Sequence, residues 1–328
     1  MGNRRAFLAA GAATALAACD RDGARPLYAA DTHPGDYPTV AAVRWFAEQV
    51  SARSGGRIAI RQYPGGQLGE EKDSLELTIF GGIDINRVNL APLNAVAPET
   101  IVPTLPFLFR SEEHMRRAMA GAPGEAVFAA LETHGLVGLC FYESGARSFY
   151  TTRRDINTPG DLRGQKIRVQ NSDLFVAMVE ALGGDATPMS YGEVYGALLQ
   201  GVVDGAENNW PSYESSRHFE AAKHYSLTRH VMAPEALVMS LRRWRKFNAD
   251  DQALLVAVAR ESVAVMNALW RERETQSEAR VRASDVTVTE PHERAAFEAA
   301  MAPVWERFLT TPALRRLAQD FQAAGDSA

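Results

Sequence analysis

The chain has 328 residues, 46% of them apolar and 23% charged, with a formal net charge of −5 and two cysteines. These values exclude wholesale disorder, a collagen-like fibre and a disulfide scaffold, and the acidic balance argues against a general nucleic-acid binder. The length suits two domains, each able to bury a core, and no uninterrupted apolar stretch reaches the roughly 18–20 residues of a membrane span.

The start is a segment of a different kind. Residues 1–5 are short and positive, and residues 6–18 form an Ala/Leu/Phe run closed by small residues, which is the layout of an export signal. Asn3-Arg4-Arg5-Ala6-Phe7-Leu8 resembles a twin-arginine signal, and Leu16-Ala17-Ala18-Cys19 a bacterial lipobox in which Cys19 would be lipidated. A plain secretory signal with an incidental cysteine is the alternative. Residues 1–26 are set aside as leader and tether. Cleavage before Cys19 removes Arg4 and Arg5 and takes the formal charge from −5 to −7.

Residues 27–31 read as a first strand, followed by a polar turn. Val40, Val43, Phe46 and Val50 recur at helical spacing across 39–52, and Ser54-Gly55-Gly56 stops that helix. Residues 57–63 alternate as a strand, Pro64-Gly65-Gly66 turns the chain, and a helix at 70–80 leads to a strand at 83–90. The pattern restarts with a strand at 165–170 and a helix at 173–182. The capping box Ser190-Tyr191-Gly192-Glu193 opens a further helix to about Gln200, and a short strand follows at 202–206. Asn248 and Asp251 can cap a helix running through about Ala283. At roughly 1.5 Å per residue it spans about 50 Å, a beam longer than one small domain. Strands alternating with helices make this an α/β chain.

Catalytic signatures are missing: there is no G-x-S-x-G, H-E-x-x-H, P-loop or G-x-G-x-x-G. Gly65-Gly66-Gln67-Leu68-Gly69 has the wrong spacing for a phosphate cradle and reads as a turn. His218, His224 and His230, six apart, fall on different helix faces, so they form no metal site and are expected at the surface or at helix ends. Cys140, in the apolar run 136–141, reads as a buried thiol. The adjacent acids Glu70/Glu71 and Glu112/Glu113 read as solvated side chains.

What does stand out is a set suited to an anion. Arg147 and Arg168 offer planar guanidinium groups that grip a carboxylate through two parallel hydrogen bonds. On pattern alone, a solvent-facing Arg168 in Lys166-Ile167-Arg168-Val169 is an equal alternative. Asn208 and Asn209 follow the strand 202–206 at its carboxyl end, where open α/β sheets place ligands. Tyr191 and Trp210 offer ring faces to a sugar, or simply pack.

Six stretches carry a resemblance. They are Phe46-Ala47-Glu48 through Ser54-Gly55-Gly56-Arg57-Ile58; Tyr63-Pro64-Gly65-Gly66-Gln67-Leu68-Gly69-Glu70; and Leu105-Pro106-Phe107-Leu108-Phe109. Then come Thr158-Pro159-Gly160-Asp161-Leu162-Arg163-Gly164-Gln165-Lys166-Ile167-Arg168-Val169; Thr187-Pro188-Met189-Ser190-Tyr191-Gly192-Glu193-Val194-Tyr195; and Val203-Asp204-Gly205-Ala206-Glu207-Asn208. In that order the chain resembles the DctP-type solute-binding proteins of TRAP (tripartite ATP-independent periplasmic) transporters. The resemblance implies a two-lobed periplasmic binding protein fold with a hinge and a long helix spanning both lobes. Lobe I would comprise 27–145 plus 233–272, and lobe II 146–232 plus 273–328. The lobes would close on an organic acid in the periplasm and deliver it to a membrane permease.

The resemblance also implies roles. Arg168 is the main carboxylate clamp and Arg147 a second arginine near it. Asn171, Tyr191 and Asn208 touch substrate from lobe II; Glu71, Asn89, Thr32 or His33, and Glu235 touch it as well. Glu71, Asn89, Asn208 and Glu235 suit several hydroxyls, and Glu207-Asn208-Asn209-Trp210-Pro211-Ser212-Tyr213 with Pro234-Glu235 looks like the members that bind hexuronates such as glucuronate or galacturonate. No cofactor, metal or nucleic acid is implied, and membrane contact only through Cys19. Two other readings stay open: a secreted sugar-acid lyase or hydrolase using Glu71, Glu235 or Tyr191, and a ligand presenter for a sensor.

Overall fold

The computed structural model describes residues 25–324, so the export segment and Cys19 lie outside the described residues. Within them the strands are β1 (Leu27–Ala30), β2 (Ile60–Tyr63), β3 (Ile85–Asn89), β4 (Leu136–Tyr142), β5 (Arg147–Thr151), β6 (Lys166–Val169), β7 (Asp185–Pro188), β8 (Gly205–Asn208), β9 (His224–Val231), β10 (Glu235–Ser240) and β11 (Thr287–Thr289). They form two sheets, ordered β2-β1-β3-β10-β4 and β11-β9-β5-β8-β6-β7. In the first, β2, β1 and β3 run parallel, as their intervening helices Pro38–Arg53 and Glu71–Phe80 require, and β10 enters antiparallel between β3 and β4. In the second, β8 lies antiparallel to β5 and parallel to β6.

The chain crosses between the sheets through residues 143–146 (β4 to β5) and 232–234 (β9 to β10), and again along the helix Ala249–Arg282. This is the two-lobed, hinged α/β architecture expected. Asn248 caps the long helix by accepting the Asp251 N–H at 2.8 Å, while the Asp251 carboxylate pairs with Arg57. Leu255, Val258, Ala259, Met266 and Trp270 line its buried face, packed against Pro38–Arg53 and β4. An 18-residue window of this helix has mean hydropathy 1.4, enough by length and composition to cross a membrane, but its apolar stripe closes the first lobe's core. Farther along, Arg273 donates to both Asp36 and Glu214, tying the two lobes together at 3.1 Å each.

Helix boundaries fall within about a residue of the periodicity. The strand expected at 202–206 is displaced to Gly205–Asn208. Val202 is half exposed in the turn, and the register is set instead by Phe149 opposite Glu207 and Arg168 opposite Ala206. The C-terminal segment, expected wholly in lobe II, is shared. Helices Arg294–Ala300 and Ala302–Phe308 pack on β9 and on Asp173–Ala181. The last helix, Pro312–Ala323, packs on 98–104, Glu112–Ala120 and Ala122–Thr133. Cys140 is buried in β4, with burial pushing its thiol up to about 12. Of the histidines expected at the surface or at helix ends, His224 is part-exposed and His218 opens the helix His218–Ala221, yet His218 and, within β9, His230 are fully buried. His230 stacks on Phe149 at 4.2 Å, and the His218 Nδ1 lies 2.7 Å from the Tyr150 hydroxyl.

Two stability measurements follow from this packing. Gly145, in the first crossing, has φ +61°, and a Cβ there would lie 2.7 Å from Glu274 Oε1 and 3.2 Å from the Trp270 ring. Gly164 has φ +68° with nothing within 4 Å. Both alanine variants incur the backbone strain of about 1 kcal/mol, and Gly145→Ala additionally the overpacking, about 1–3 kcal/mol more. Urea unfolding should rank them so; equal losses would contradict the crowding at the hinge. Burial, aided by Arg168, holds the His218 imidazole down to about 3. The unfolded chain therefore takes up a proton near pH 6.5 that the folded one refuses. This contribution to stability is complete above pH 6.5 and is lost as pH falls toward 3, by up to about 1.4 kcal/mol per pH unit. His218→Gln should flatten that part of the stability profile, and an unchanged slope between pH 6.5 and 4 would contradict it.

Candidate functional site

Strand ends from both sheets converge on one cleft. β1 delivers Thr32 and His33 just past its end, β3 ends on Asn89, and β10, antiparallel to it, starts with Glu235 directly opposite. From the second sheet, β6 leads into Gln170 and Asn171, β8 ends on Asn208, and β5, antiparallel to β8, starts with Arg147. Placing polar side chains at the carboxyl ends of parallel strands is the general rule for ligands in open α/β sheets.

The cleft holds two adjoining spaces. One, of about 300 Å³, is lined by His33, Glu71, Arg87, Asn89, Arg147, Asn208 and Glu235, among others. The other, of about 230 Å³, is lined by Arg168, Asn171, Met189 and Ser190. Glu71, Gln170 and Tyr191 border both. A larger apolar hollow of about 950 Å³ between Glu112–Ala120, β4 and the long helix contains none of the expected site residues.

Among the described residues three buried arginines face the cleft, and their partners differ. Arg147 donates through Nε to Glu207 at 2.5 Å, through Nη2 to the Glu207 carboxylate and carbonyl at 2.8 Å each, and through Nη1 to Asn208 Oδ1 at 2.8 Å. Burial alone would raise the Glu207 carboxyl; Arg147 and His230 hold it down to about 2. Arg87 pairs with Asp31, with Glu71 at 3.2 Å, and lies 3.4 Å from Glu235. Arg168 has no carboxylate partner among the described residues. It donates through Nε and Nη2 to the single carbonyl of Met189, at 3.1 and 2.7 Å. Burial pulls its pKa below the ordinary arginine value, against the opposing pull of Glu207 and, more weakly, Tyr150 and Tyr191. Its side chain is 3% exposed, so the solvent-facing alternative for this strand position is not the one adopted.

The amides are oriented by the backbone. Asn208 Oδ1 is occupied by Arg147 and the Asn209 N–H, and Asn89 Oδ1 by the Ala91 N–H, so each leaves its NH₂ to donate. Asn209 spends both ends structurally, capping Ser212 and donating to the Ser144 carbonyl across the crossing. Tyr191 stands edge-on to His33 at 5.2 Å.

Every expected site residue except Trp210 borders the cleft. Trp210 is buried instead, stacked on Tyr225 at 4.1 Å with Arg282 over its ring at 5.6 Å. It opens the helix Trp210–Ser215, whose cap directs the ring into the second lobe's core. Arg87, Glu207 and Gln170 border or support the cleft without having been anticipated. Arg87 had one signal, a cation inside the buried strand Ile85–Asn89. The Arg147–Glu207 pair joins residues 60 apart in sequence and had none.

The family described as bacterial extracellular solute-binding protein, family 7 (DctP), matches residues 29–311. A solute-binding protein of Chromohalobacter salexigens is 39% identical over 293 residues, covering 89% of this chain and 87% of that one. Among solved structures, a TRAP periplasmic solute-binding protein of a Bradyrhizobium species, in complex with α/β-D-galacturonate, is 49% identical with a TM-score of 0.90, covering 91% of this chain and 99% of that one. One from Chromohalobacter salexigens with bound D-glucuronate is 38% identical, with a TM-score of 0.89 and the same coverage of 91% and 99%. These relatives are solute-binding proteins, which sets aside the lyase or hydrolase reading of Glu71, Glu235 and Tyr191. With this fold, this cleft and a match across most of its length, the chain belongs to the bacterial extracellular solute-binding proteins of family 7, the DctP family.

Proposed function

We propose that this protein captures a hexuronate of the galacturonate or glucuronate type in the periplasm and hands it to the membrane permease of a TRAP transporter. Cys19, as a lipid anchor, would keep it near that permease. The observation that carries the ligand class is Arg168, the one cleft arginine with no carboxylate partner among the described residues. A sugar acid supplies the missing carboxylate, and its hydroxyls suit the amide donors of Asn89 and Asn208 and the acceptor Gln170 Oε1, which is buried without a partner. The bound uronates of the similar solved proteins point the same way.

The mechanism is sequestration without chemistry. The ligand's carboxylate docks on Arg168, the lobes close about the crossings, and exclusion of water strengthens each polar contact. A micromolar affinity is about −8 kcal/mol, and each charge-assisted hydrogen bond contributes roughly 1.5–3 kcal/mol, so one clamp supplies a large share.

The two second-lobe arginines should separate experimentally. Arg168→Ala should keep its stability, since it removes a buried cation that lacks a counter-ion, and weaken galacturonate binding at least about 30-fold, or 2 kcal/mol. Arg147→Ala orphans Glu207 and should lower unfolding stability by about 3–5 kcal/mol. Calorimetric titration and urea unfolding of both variants test this, and wild-type affinity in folded Arg168→Ala would overturn the clamp. A thermal-shift screen of organic and sugar acids tests the ligand class. Galacturonate and glucuronate should raise the melting temperature, and a response to neutral sugars alone would refute the reading.

A further inference from the structure

The first-lobe side of the cleft carries more negative charge than its one arginine can neutralise. Asp31, Glu71 and Glu235 all converge on Arg87, and all but Glu71 are almost fully buried. The three carboxyls are not equally served. Asp31 accepts from Arg87 and from the His33 N–H at 2.8 Å, with the Thr39 hydroxyl at 3.4 Å. Glu71 accepts from Arg87 at 3.2 Å and from the Asn89 N–H at 2.7 Å. Glu235 accepts nothing at Oε2, which is buried and only 3.4 Å from Arg87 Nη1, and its Oε1 lies 3.9 Å from His33 Nε2.

The other groups around Glu235 offer little relief. His33 is buried, stacked on Tyr37 at 3.8 Å, and burial followed by Arg87 and Arg147 holds its imidazole neutral. The Tyr37 hydroxyl is engaged with Ser212 at 2.8 Å. Tyr142, beside Glu235 in the sheet, turns its hydroxyl to Ser262 at 2.7 Å. Arg147 is already neutralised by Glu207. A buried carboxylate oxygen that accepts no hydrogen bond favours the protonated form. Burial, opposed by Arg87 but seconded by Asp31 and Glu71, pushes the Glu235 carboxyl up to about 7. An anionic ligand adds further negative charge beside it.

We propose that Glu235 enters the closed complex as a neutral carboxylic acid whose O–H donates to a ligand hydroxyl oxygen, so that capture of the acid takes up a proton from water. This rests on the hexuronate reading. With the lobes apart, Glu235 is solvated and ionised; on closure one proton from bulk water joins its carboxylate, and no other bond is made or broken. Glu235 thus reads the ligand by requiring an acceptor at that position, and it makes affinity depend on pH although the ligand's own carboxylate stays ionised.

The test is titration of the full protein with D-galacturonate at pH 7 in buffers of differing ionisation enthalpy. The apparent binding enthalpy should vary linearly with that of the buffer, with a slope corresponding to uptake of about half to one proton per ligand. Kd should rise by up to about tenfold per pH unit between pH 5 and 7 and level off above, where the bound carboxyl ionises. In Glu235→Gln, which keeps an N–H donor, both dependences should vanish. Tight wild-type binding with no proton uptake would overturn the proposal and leave the ligand assignment standing. Uptake that persists in Glu235→Gln and is lost in His33→Asn would also overturn it, since the proton would then belong to the imidazole. Absence of any binding to galacturonate or glucuronate would remove the ligand reading, and this inference with it.

Discussion

A buried cation without a counter-ion is the constraint around which this cleft is arranged. Arg147 and Arg87 are neutralised from within, by Glu207 and by the acids about Asp31. Among the described residues, Arg168 is held by one backbone carbonyl alone. Taking a charge out of water costs several kcal/mol unless a partner offsets it, so a closed cleft with Arg168 inside is complete only when an anion arrives. Internal pairing elsewhere sharpens this, because it leaves one place where an incoming carboxylate is wanted. The chain's overall negative charge makes the point from outside: bulk attraction of an acid is not available, and capture depends on positive charge concentrated locally.

Topology puts these groups where they meet. β5 and β10 run antiparallel to their neighbours, so their first residues, Arg147 and Glu235, stand beside the last residues of β8 and β3. β5 and β10 are also the strands the chain enters on crossing between sheets, so site and hinge share the same few residues. Ser144 illustrates this: its carbonyl accepts from Asn209, the cap of a second-lobe helix, while its hydroxyl donates to the Ala233 carbonyl of the other crossing. The proposed ligand contacts and the crossings between lobes are therefore joined through packed backbone and not through a flexible tether.

Much of this was legible in the sequence, for physical reasons that vary by element. Helices such as Pro38–Arg53 and Ala249–Arg282 announced themselves because one buried face imposes a 3.6-residue period and the caps are local. The strand Gly205–Asn208 was misplaced because its position is set by pairing with β5 and β6, while the apolar residue that suggested an earlier start, Val202, is exposed. Arg168 could be nominated as a clamp, but not shown to lack a partner, since that is a statement about every other side chain near it. Trp210 failed for the same reason: an aromatic beside a proline can face a sugar or a core, and the helix cap at Asn209 decided for the core. Burial of His230 had no signal, because polar neighbours such as Thr228 and Arg229 concealed a strand whose burial is set by its packing in the sheet.

The most direct measurement is the crystal structure of the protein bound to D-galacturonate. The ligand's carboxylate should sit on the uncommitted side of the Arg168 guanidinium, with the Arg147–Glu207 pair unbroken behind it. A carboxylate seated on Arg147 with Glu207 displaced, or a sugar whose carboxylate points away from Arg168, would contradict it.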